Sequence, residues 1–437
     1  MGKKMKLVAA MAAMVLTTGA VFGCSSSEAS RDADKEVKQE ANQETDKKEE
    51  TPKKEETPKK EEEKPAEKQT LTVWSHLMTP EVEAISELAN KWGAENNVDV
   101  KVLEDQSDMQ GFLQAANSKS GPDIMFGLAH DNLGTFQKAG LLAEVPAGKF
   151  DNSVYASQAI VDAVTINGTQ YAVPLAQESI ALFYNKDLCA EAPQTWDELV
   201  EIARDKGFMF NVNDFYLSYG IVASNGGYVF KNNDGTLDPT DIGLGNEGAI
   251  KSYQFLQDLI QKEKFMPADI NDDIAKGEFL SGNTAFYISG PWNVASAKDA
   301  GLNFGIAPLP KMGENPTPSF LGVQTAFVSA KSEKQDLAWD LVKYLSENSG
   351  ETLYDVGNRI PVLTAVLNND KVGADVYTQG FAAQAKNAVP MPNIPEVAAM
   401  WAPAADNIKL LTAGQIDAAT CGKTIAEQIA VGIAQQK

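Results

Sequence analysis

Residues 71–103 have the sequence LTVWSHLMTPEVEAISELANKWGAENNVDVKVL. Alternating apolar side chains at the start of this stretch predict a short strand over residues 71–75, and apolar side chains at helical spacing after Thr79-Pro80 predict an amphipathic helix. The final VDVKVL, at 98–103, predicts a second strand. A strand, a helix and a strand in succession are typical of the α/β class, in which a mostly parallel sheet carries helices on both faces.

The same alternation continues outward from this stretch. Further strands are predicted at 123–128, 180–184 and 284–289. Capping boxes, in which two side chains satisfy the first free amides of a helix, predict helices that begin at Thr195 and at Ser332. The chain after about residue 403 is rich in alanine and isoleucine and is predicted to be helical. No repeat of solenoid period interrupts the pattern, which favours an α/β fold throughout.

The first 24 residues have the features of an export signal. Three lysines precede an apolar run at 7–20, which is shorter than the ~20 residues that span a bilayer. The run ends in VFGC, which resembles the bacterial lipobox, where a cysteine receives acyl chains and becomes the new N-terminus. We predict a signal peptide at 1–23 and a lipidated Cys24 that holds the protein at the extracellular face of a Gram-positive cell membrane. The alternative is an ordinary cleaved signal with a chance cysteine.

Residues 24–69 are predicted to be a disordered tether rich in lysine and glutamate. They include the stretch KKEETPKKEETPKKEEEKPAEK, which repeats TPKKEE and contains no large apolar residue. A segment of this composition cannot bury a core and stays solvated. We interpret it as a spacer that lifts a folded domain off the membrane and through the cell wall, and an isolated charged helix would serve the same purpose.

Length and charge exclude several classes of function. The 437 residues suffice for two to three domains. The net charge of −22 repels phosphate backbones, so we expect no nucleic-acid partner. The acidity lies in residues 71–437, which disfavours an anionic ligand. Since His76 and His130 are the only histidines, a site built on several histidines is excluded, and we predict no metal and no cofactor.

Besides Cys24, the chain contains two cysteines, Cys189 and Cys421. This number is too small for a disulfide scaffold. The two thiols either pair outside the cell or remain buried and separate, and the sequence leaves both possibilities open.

The sequence lacks the familiar motifs of hydrolytic and nucleotide-using enzymes. It has no GxSxG elbow, no Walker loop and no HExxH motif. Glycoside hydrolysis needs only two carboxylates across a sugar bond, and Asp131, Glu178 and Asp214 are candidates for that pair. Because any acidic chain offers such pairs, we predict a protein without catalytic activity and keep a surface glycosidase as an alternative.

Aromatic side chains in predicted loops indicate carbohydrate binding instead. Sugars present hydroxyl rims and apolar faces, which carboxylates and flat rings match. The candidate rings, each beside glycine or proline in a loop, are Tyr216, Tyr219, Trp292 and Trp401. The alternative for each ring is that it caps a hydrophobic cluster. The remaining tryptophans follow strand or helix patterns and are predicted to lie in the core: Trp74, Trp92, Trp196 and Trp339.

His130 and Asp131 lie directly after a predicted strand. Ligands of open α/β sheets collect at the carboxyl ends of the strands. A histidine beside a carboxylate more often orients a loop than binds a ligand, so we expect His130 to position its neighbours.

Six segments of the chain resemble the maltose/maltodextrin-binding proteins of ABC-type sugar importers. They span most of 70–437 in the order and spacing of that family: GPDIMFGLAHDNLG (121–134), KAGLLAEV (138–145), FYNKDL (183–188), GGYVFK (226–231), SGPWN (289–293) and MPNIP (391–395). GPDI alone occurs across many solute receptors. The AHD triplet together with YNKDL, GPW and MPNIP is fairly specific for the maltodextrin branch.

The resemblance implies a two-lobed, periplasmic-binding-protein-like α/β fold that clamps a ligand between its lobes. Each lobe is expected to be a mainly parallel sheet flanked by helices, and hinge segments cross between the lobes. The implied boundaries are 70–176 plus 326–371 for lobe 1, 181–320 plus 376–437 for lobe 2, and 177–180, 321–325 and 372–375 for the hinge.

The resemblance also assigns roles to individual residues. Asp131 matches the family's sugar-binding aspartate, and Glu178 matches its hinge glutamate. Asp214 matches the acid that precedes GGY in the family and is one methylene shorter than the family's residue. The rings that match its stacking positions are Tyr216, Trp292 and Trp401. Further candidates for ligand contact are His76, Ala129, Tyr219 and Met391.

Several positions depart from the family pattern. The tryptophan that precedes AHD is Leu128 here, with Gly127 inserted, and the arginine that follows AHD is Asn132. A second arginine, four residues beyond Trp401, is Ala405. The lysine-bearing loop after the first strand is shortened to SHLM. These departures leave the preferred chain length, and the sugar itself, open.

We therefore expect a monomeric, lipid-anchored extracellular receptor that binds maltose and malto-oligosaccharides and delivers them to the permease subunits of an ABC importer. The main alternative is a receptor of the same fold for a different neutral oligosaccharide. A surface glycosidase and a pure adhesin are the remaining alternatives.

Overall fold

The structure is a computed structural model that describes residues 68–105, 107, 109–118 and 121–436. The predicted signal peptide at 1–23, the predicted lipidation site Cys24 and the tether up to residue 67 lie outside the described residues. The first strand begins at Gln69, so that the predicted end of the tether is already part of the sheet.

The strands are β1 (Gln69–Ser75), β2 (Val98–Glu104), β3 (Ile124–Ala129), β4 (Thr165–Ile166), β5 (Thr169–Gln170), β6 (Val173–Glu178), β7 (Ala181–Asn185), β8 (Phe208–Met209), β9 (Lys231–Asn233), β10 (Thr236–Asp238), β11 (Phe286–Ser289), β12 (Phe304–Ala307), β13 (Phe320–Val328), β14 (Ile360–Pro361) and β15 (Val389–Pro390). The predicted strands at 71–75, 98–103, 123–128, 180–184 and 284–289 correspond to β1, β2, β3, β7 and β11.

The helices are α1 (Thr79–Asn96), α2 (Met109–Ala116), α3 (Leu133–Lys138), α4 (Gln158–Ala163), α5 (Trp196–Lys206), α6 (Phe215–Ser224), α7 (Glu247–Gln261), α8 (Asp272–Leu280), α9 (Val294–Asp299), α10 (Gln335–Asn348), α11 (Gly350–Gly357), α12 (Thr364–Leu367), α13 (Val376–Ala385), α14 (Trp401–Thr412) and α15 (Ala418–Gln435). Short 3-10 helices occupy His130–Asn132, Asn152–Val154, Gly243–Gly245, Pro291–Asn293 and Pro395–Ala399. The helix predicted after Thr79-Pro80 and the helical C-terminal region are confirmed.

Two separate sheets organise the described chain. The larger sheet has the strand order β14-β6-β13-β3-β1-β2, with β15 paired to β13. The smaller sheet has the order β12-β7-β11-β8. We call the layers around the larger sheet the first lobe and those around the smaller sheet the second lobe. The α/β class predicted from the sequence is confirmed.

The strand directions differ from the expectation of mainly parallel sheets. In the larger sheet β1 is parallel to β2 and to β3, but β13 runs antiparallel to both β3 and β6. In the smaller sheet β7 is antiparallel to β11 and β12, and only β8 and β11 are parallel. Strand–helix alternation predicted the parallel unit β1-α1-β2 correctly. It does not specify the direction of a strand such as β13, whose partners lie far away in the chain.

Apolar clusters cover both faces of the larger sheet. Val73 and Phe126 face a cluster that contains Trp92 and Trp339. Trp74 packs on the opposite face, where its ring meets that of Phe112 edge-on at 6.0 Å. Successive residues of a strand point to opposite faces, so the adjacent residues Val73 and Trp74 enter different layers. The four tryptophans predicted to lie in the core pack in apolar clusters, although Trp74 is only half-buried.

The second lobe has an aromatic core. Phe183, Phe286 and Trp196 are fully buried in it. Cys421 is buried in the same cluster, whereas Cys189 is half-buried and donates its thiol hydrogen to the carbonyl oxygen of Glu191. The two cysteines are therefore separate thiols in this structure and not a disulfide.

The two predicted capping boxes have different outcomes. The Thr195 hydroxyl accepts the amide of Glu198 at 3.2 Å, and the Glu198 carboxylate accepts the amide of Thr195, which confirms the first box. The second box is wrong, because α10 begins at Gln335 and not directly after Ser332. The Ser332 hydroxyl donates instead to the carboxylate of Asp123 at 2.6 Å, so that a distant residue engages the predicted cap.

Candidate functional site

Three strands of the larger sheet deliver polar side chains to one edge. β1, β2 and β3 are parallel and end at Ser75, Glu104 and Ala129. The residue after β1 is His76, whose Nδ1 lies 3.6 Å from the Oδ2 of Asp105. Because the carboxyl ends of parallel strands lie side by side, the loops that follow these strands share one edge of the first lobe.

Gly127 forms a β-bulge at this edge. In the pairing of β13 with β3, Thr325 faces Leu128 while the next residue, Ala326, faces Phe126, so Gly127 is left unpaired. Its φ of +85° belongs to the left-handed region, and a Cβ there would come within 2.2 Å of the Leu77 side chain. Only glycine fits such a position, and the extra residue bends the end of β3 from which the following loop emerges.

His130 fixes that loop from within. It is completely buried, its Nδ1 accepts the amide hydrogen of Val323 at 3.1 Å, and its Nε2 lies 3.0 Å from the carbonyl oxygen of Met391. Because Nδ1 accepts a hydrogen, the neutral ring carries its proton on Nε2 and donates it to Met391. Burial lowers the pKa of His130 to about 4. The residue positions the loop, in agreement with the sequence-based expectation.

Asp131 is the acid that this loop presents. Its Oδ1 accepts a hydrogen from the Asn132 amide at 3.2 Å, and Asn132 also donates to the carbonyl oxygen of Ala129 at 3.1 Å. Burial raises the pKa of Asp131 to about 6. Within the described ranges no cation pairs with Asp131, so its carboxylate remains available to accept hydroxyl hydrogens from a ligand.

Glu178 is the second acid, and it belongs to a partly buried ion-pair network. It ends β6 and pairs through Oε1 with the guanidinium of Arg359, while the amide of Gln324 donates to the same oxygen at 3.3 Å. Arg359 also forms two bonds to Glu81 on α1, from Nε at 2.7 Å and from Nη2 at 3.1 Å. Both partners that Glu178 has in the described part of the chain bind Oε1, so Oε2 is available to a ligand.

The sequence reasoning missed this network. Glu81 is only 1% exposed, and it also accepts the amide hydrogen of Met78 at 2.9 Å. The rarity of arginine was an available signal, because residues 71–437 contain only Arg204 and Arg359. An arginine in so acidic a domain is expected to compensate carboxylates. Which ones it pairs with depends on contacts between distant parts of the chain.

Three aromatic side chains of the second lobe form a group with Phe320, the first residue of β13. The ring centroid of Tyr216 lies 6.5 Å from that of Trp292 and 6.0 Å from that of Phe320. Trp401 contacts Phe320 edge-on at 6.0 Å. Tyr216, Trp292, Phe320 and Trp401 form what we call the aromatic wall, and Asp131 and Glu178 form the acidic wall.

Tyr216 connects the two walls. Its hydroxyl is buried and has no hydrogen-bond partner among the described residues. Burial raises its pKa strongly, and the negative charges of Glu178, Asp131 and Asp214 raise it further. A buried hydroxyl without a partner is costly, so this group requires a bound molecule or water to complete it.

Asp214 and Trp292 are placed by local structure. Asp214 caps α6, and its Oδ1 accepts the amide hydrogen of Tyr216 at 2.9 Å. Trp292 lies in a 3-10 turn that Asn293 fixes through bonds to the hydroxyls of Tyr287 and Ser289. Trp292 is 46% exposed, an unusual position for the largest apolar side chain unless it serves as a contact surface.

The further candidates occupy less direct positions. Tyr219 is buried and stacks on Phe320 at 3.7 Å, where it supports the aromatic wall from behind. Met391 is buried and contributes its carbonyl oxygen to His130. His76 is exposed and Ala129 half-buried at the edge of the first lobe.

Two cavities adjoin this region. The larger has a volume of about 930 Å³, and its lining residues include Tyr219, Phe320 and Met391. Asp131 and Trp292 are not among its lining residues. The smaller, of about 650 Å³, shares Asp214 with the candidate site. Among the residues that the structure describes, no group of three or more metal-binding side chains is present. Within the same part of the chain, no helix has the length and apolar character needed to cross a bilayer.

Comparison with known proteins identifies the family of this chain. Residues 87–380 match the family described as bacterial extracellular solute-binding protein, and the chain belongs to that family. Its relatives include the galactooligosaccharide-binding protein of Bacillus subtilis (strain 168), which is 32% identical over 74% of this chain and 80% of its own length. The maltodextrin-binding protein MdxE of the same organism is 32% identical over 73% of this chain and 80% of its own length.

A pneumococcal relative and a solved structure extend the comparison. The maltooligosaccharide ABC transporter solute-binding lipoprotein of Streptococcus pneumoniae (strain ATCC BAA-255 / R6) is 30% identical over 80% of this chain and 86% of its own length. The maltose-maltodextrin binding protein of Alicyclobacillus acidocaldarius aligns with a TM-score of 0.75 and 37% identity, covering 83% of this chain and all of its own. The two-lobed α/β fold predicted from the sequence is therefore confirmed.

Proposed function

We propose that this protein is an extracellular receptor that binds maltose and malto-oligosaccharides and delivers them to an ABC importer. The observation that carries the proposal is Tyr216, whose buried hydroxyl has no hydrogen-bond partner among the described residues, whose ring lies beside the exposed Trp292, and whose pKa responds to the charges of three acids. Flat rings match the apolar faces of glucose, and carboxylates match its hydroxyl rim.

Each side chain has a distinct role in this proposal. Trp292 and Trp401 stack on glucose rings, and the Tyr216 hydroxyl hydrogen-bonds to the sugar. Asp131 and the free Oε2 of Glu178 accept hydroxyl hydrogens from the opposite side. The ligand thereby bridges acids of one lobe and rings of the other.

Such bridging favours a closed arrangement of the lobes. A ligand that contacts both walls binds the closed state more tightly than the open one and shifts the population accordingly. We propose hinge segments at 177–180, 321–325 and 372–375. The first of them is supported by the short connection between Glu178, which ends β6 of the first lobe, and Ala181, which begins β7 of the second.

We further propose that Cys24 anchors the receptor to the membrane and that residues 24–69 act as the spacer. The lipoprotein described for the pneumococcal relative supports this assignment, as does the VFGC sequence. The permease subunits of the importer are the expected partners, and a monomer that carries one ligand suffices for delivery. Nothing in the acid arrangement requires catalysis, so we assign no enzymatic activity.

A second candidate ligand is a galactooligosaccharide. The relative in Bacillus subtilis with that name is as similar to this chain as the maltodextrin-binding one. The departures at Leu128, Asn132 and Ala405 alter positions that contact sugar in the maltodextrin pattern. A receptor with the same acidic and aromatic walls but different side chains at these three positions would accept such a ligand.

Calorimetric titration with a sugar panel tests these functions. Maltotriose is expected to bind at one site, whereas a β-galactooligosaccharide of equal length and sucrose serve as comparison ligands. Tighter binding of the galactooligosaccharide would favour the second candidate, and absence of binding by every sugar would refute both. Chromatography of the incubated maltotriose separates receptor from glycosidase, since release of glucose would refute the proposal of a non-enzymatic receptor.

A further inference from the structure

We propose that the second lobe holds the Trp292 indole in its exposed position by two separate devices. The first is the absence of a side chain at Gly290. The second is a chain of hydrogen bonds, which we call the relay, through Asp272, Tyr287 and Asn293. All four are positioning residues, since they act on a sugar only through the ring of Trp292. The part of the proposal that concerns sugar rests on the function proposed above.

Gly290 leaves the space that the indole occupies. A Cβ at this residue would lie 2.1 Å from Cζ3 and 2.2 Å from Cη2 of the Trp292 ring. The backbone of Gly290 is extended, with a φ of −102° and a ψ of −179°, so other residues could adopt it. The indole therefore requires this glycine, and the backbone does not. Because Trp292 is half exposed, a side chain at residue 290 would turn the ring away without unfolding the lobe.

The relay fixes the turn that carries Trp292. The Tyr287 hydroxyl donates to Oδ1 of Asp272 at 2.6 Å. Because a carboxylate only accepts, the phenol oxygen is left to accept a hydrogen, which the Asn293 amide donates at 2.9 Å. The second hydrogen of that amide goes to the Ser289 hydroxyl at 2.8 Å. The residue that follows Trp292 is thereby joined to β11 at two points.

Asn293 serves this turn and not the helix that follows it. It occupies the N-cap position of α9, where an asparagine side chain ordinarily accepts a backbone amide hydrogen. Within the described part of the chain, the Asn293 side chain accepts no such hydrogen. It is buried, and its amide is committed to β11 instead. A local preference that is overridden in this way is typical of a functional site.

The far end of the relay is anchored in the aromatic core. Tyr287 is buried, and its ring centroid lies 5.6 Å from that of Phe183 and 5.5 Å from that of Phe279. Phe279 and Asp272 are seven residues apart on α8 and therefore share one face of this helix. Burial raises the pKa of Tyr287, and the bond to Asp272 raises it further. The phenol therefore keeps its hydrogen, and the relay joins the turn to a rigid part of the lobe.

A fixed indole lowers the cost of stacking a sugar. A tryptophan that turned freely would lose rotamer freedom when a ligand settles on it, whereas a ring that is already held in place loses little. The position of the ring also determines the shape of the aromatic wall, since the planes of Trp292 and Tyr216 meet at 43°. Displacement of the indole would therefore change both the entropy of binding and the surface offered to glucose.

The first test combines Gly290→Ala with spectroscopy of the ring. When fluorotryptophan replaces tryptophan throughout the chain, fluorine NMR shows one resonance for each ring, and the spectrum of Trp292→Phe identifies that of Trp292. Gly277→Ala is the matched control, since a Cβ at Gly277 meets no described atom within 4 Å. Maltotriose is titrated by calorimetry into each protein and into Gly290→Ala in the Trp292→Ala background.

The second test cuts the relay and keeps the buried ring, by Tyr287→Phe. Tyr253→Phe is its matched control, because Tyr253 is a buried tyrosine of the same lobe whose hydroxyl has no hydrogen-bond partner among the described residues. Asp272→Ala removes the acceptor at the far end, whereas Asp272→Asn keeps an oxygen that accepts the phenol hydrogen. Urea denaturation verifies that each variant is folded.

Gly290→Ala is expected to shift the Trp292 resonance and to weaken maltotriose by roughly fivefold or more, as loss of a stacked anchor does. In the Trp292→Ala background, the same substitution should change the affinity by less than about twofold, because the ring on which it acts is gone. Tyr287→Phe and Asp272→Ala should broaden the Trp292 resonance and weaken maltotriose by about threefold. Asp272→Asn should lie between Asp272→Ala and the wild type.

The role of Gly290 is wrong if Gly290→Ala matches Gly277→Ala, or if it weakens maltotriose equally with and without the Trp292 ring. A shifted resonance at unchanged affinity would also overturn it, since the position of the ring would then not matter to the sugar. The relay is wrong if Tyr287→Phe behaves as Tyr253→Phe does.

Failure of the receptor function has a different result. No sugar would then bind the wild type, while the fluorine resonance would still report whether Gly290 and the relay hold the indole.

Discussion

The acidic wall and the aromatic wall are held in place by different physical means. Glu178 depends on an ion pair with Arg359, and Asp131 depends on a loop whose histidine is buried. The rings of the aromatic wall pack against one another, with ring centroids 6.0–6.5 Å apart. The acidic wall is therefore sensitive to charge and pH, whereas the aromatic wall responds mainly to loss of contact area.

The largest effect is expected from Arg359→Met. It removes the cation between Glu81 and Glu178 and leaves Glu81 charged and buried, which costs about 3–5 kcal/mol of unfolding free energy in comparable cases. Urea denaturation measures this cost, and calorimetry should show weakened sugar binding. Arg204→Met is the matched control, because Arg204 is 56% exposed and solvent screens its pair with Glu263, which therefore contributes little to stability. Equal losses in both variants would contradict the network's role.

The second-largest effect on the free energy of unfolding is expected from protonation of His130 in acid. Its pKa is about 4 in the folded protein against about 6.5 when unfolded, so its contribution to stability is complete above pH 6.5 and is lost as the pH falls towards 4. The expected loss is about 3 kcal/mol. The measurement is the difference in unfolding free energy between wild type and His130→Gln at pH 7 and pH 4. Because Asp131 titrates in both proteins, its contribution cancels in this difference. A difference that is the same at pH 7 and pH 4 would be inconsistent with a buried neutral histidine.

Trp292→Ala tests the aromatic wall directly. Since the ring is half exposed, its removal should leave the unfolding free energy nearly unchanged but weaken maltotriose binding by about 1–3 kcal/mol. Calorimetry measures the affinity and urea denaturation the stability. Trp339→Ala is the contrasting variant, because that fully buried ring should cost about 3–5 kcal/mol of stability. Unchanged affinity in Trp292→Ala would remove this residue from the site.

The smallest effect sharpens the comparison between the walls. Asp131 has a pKa of about 6 in the unliganded protein, and a carboxylate accepts sugar hydroxyls better than a carboxyl group does. Affinity for maltotriose should therefore fall about tenfold between pH 7 and pH 5. Trp292→Ala should keep this pH dependence, while Asp131→Asn should bind more weakly at pH 7 and lose it. A wild-type affinity that is constant over this range would contradict the role of Asp131.

Local features of the fold were accessible from the sequence. The β1-α1-β2 unit and the Thr195 capping box involve residues close together in the chain, and both are present in the structure. The unit and the box needed only periodicity and short-range chemistry. Asp131 follows a strand end and Trp292 lies beside glycine and proline, which made both candidates. Their roles in sugar binding come from the resemblance to the maltodextrin-binding family and stay predictions.

Features that depend on distant contacts were not accessible. Arg359 meets Glu81 across 278 residues, and nothing near either residue specifies the other. The direction of β13 and the engagement of Ser332 by Asp123 are of the same kind. The aromatic wall was easier to predict than the network behind the acidic wall, because exposed rings reveal themselves by local sequence whereas ion pairs depend on the whole fold.

The most direct test of the account is a crystal structure of the protein with maltotriose. The sugar is expected between the two walls, with a glucose face on Trp292 and hydroxyl oxygens at hydrogen-bond distance, about 2.5–3.0 Å, from Asp131 and Glu178. A sugar bound elsewhere, or rings and acids turned away from it, would contradict the account.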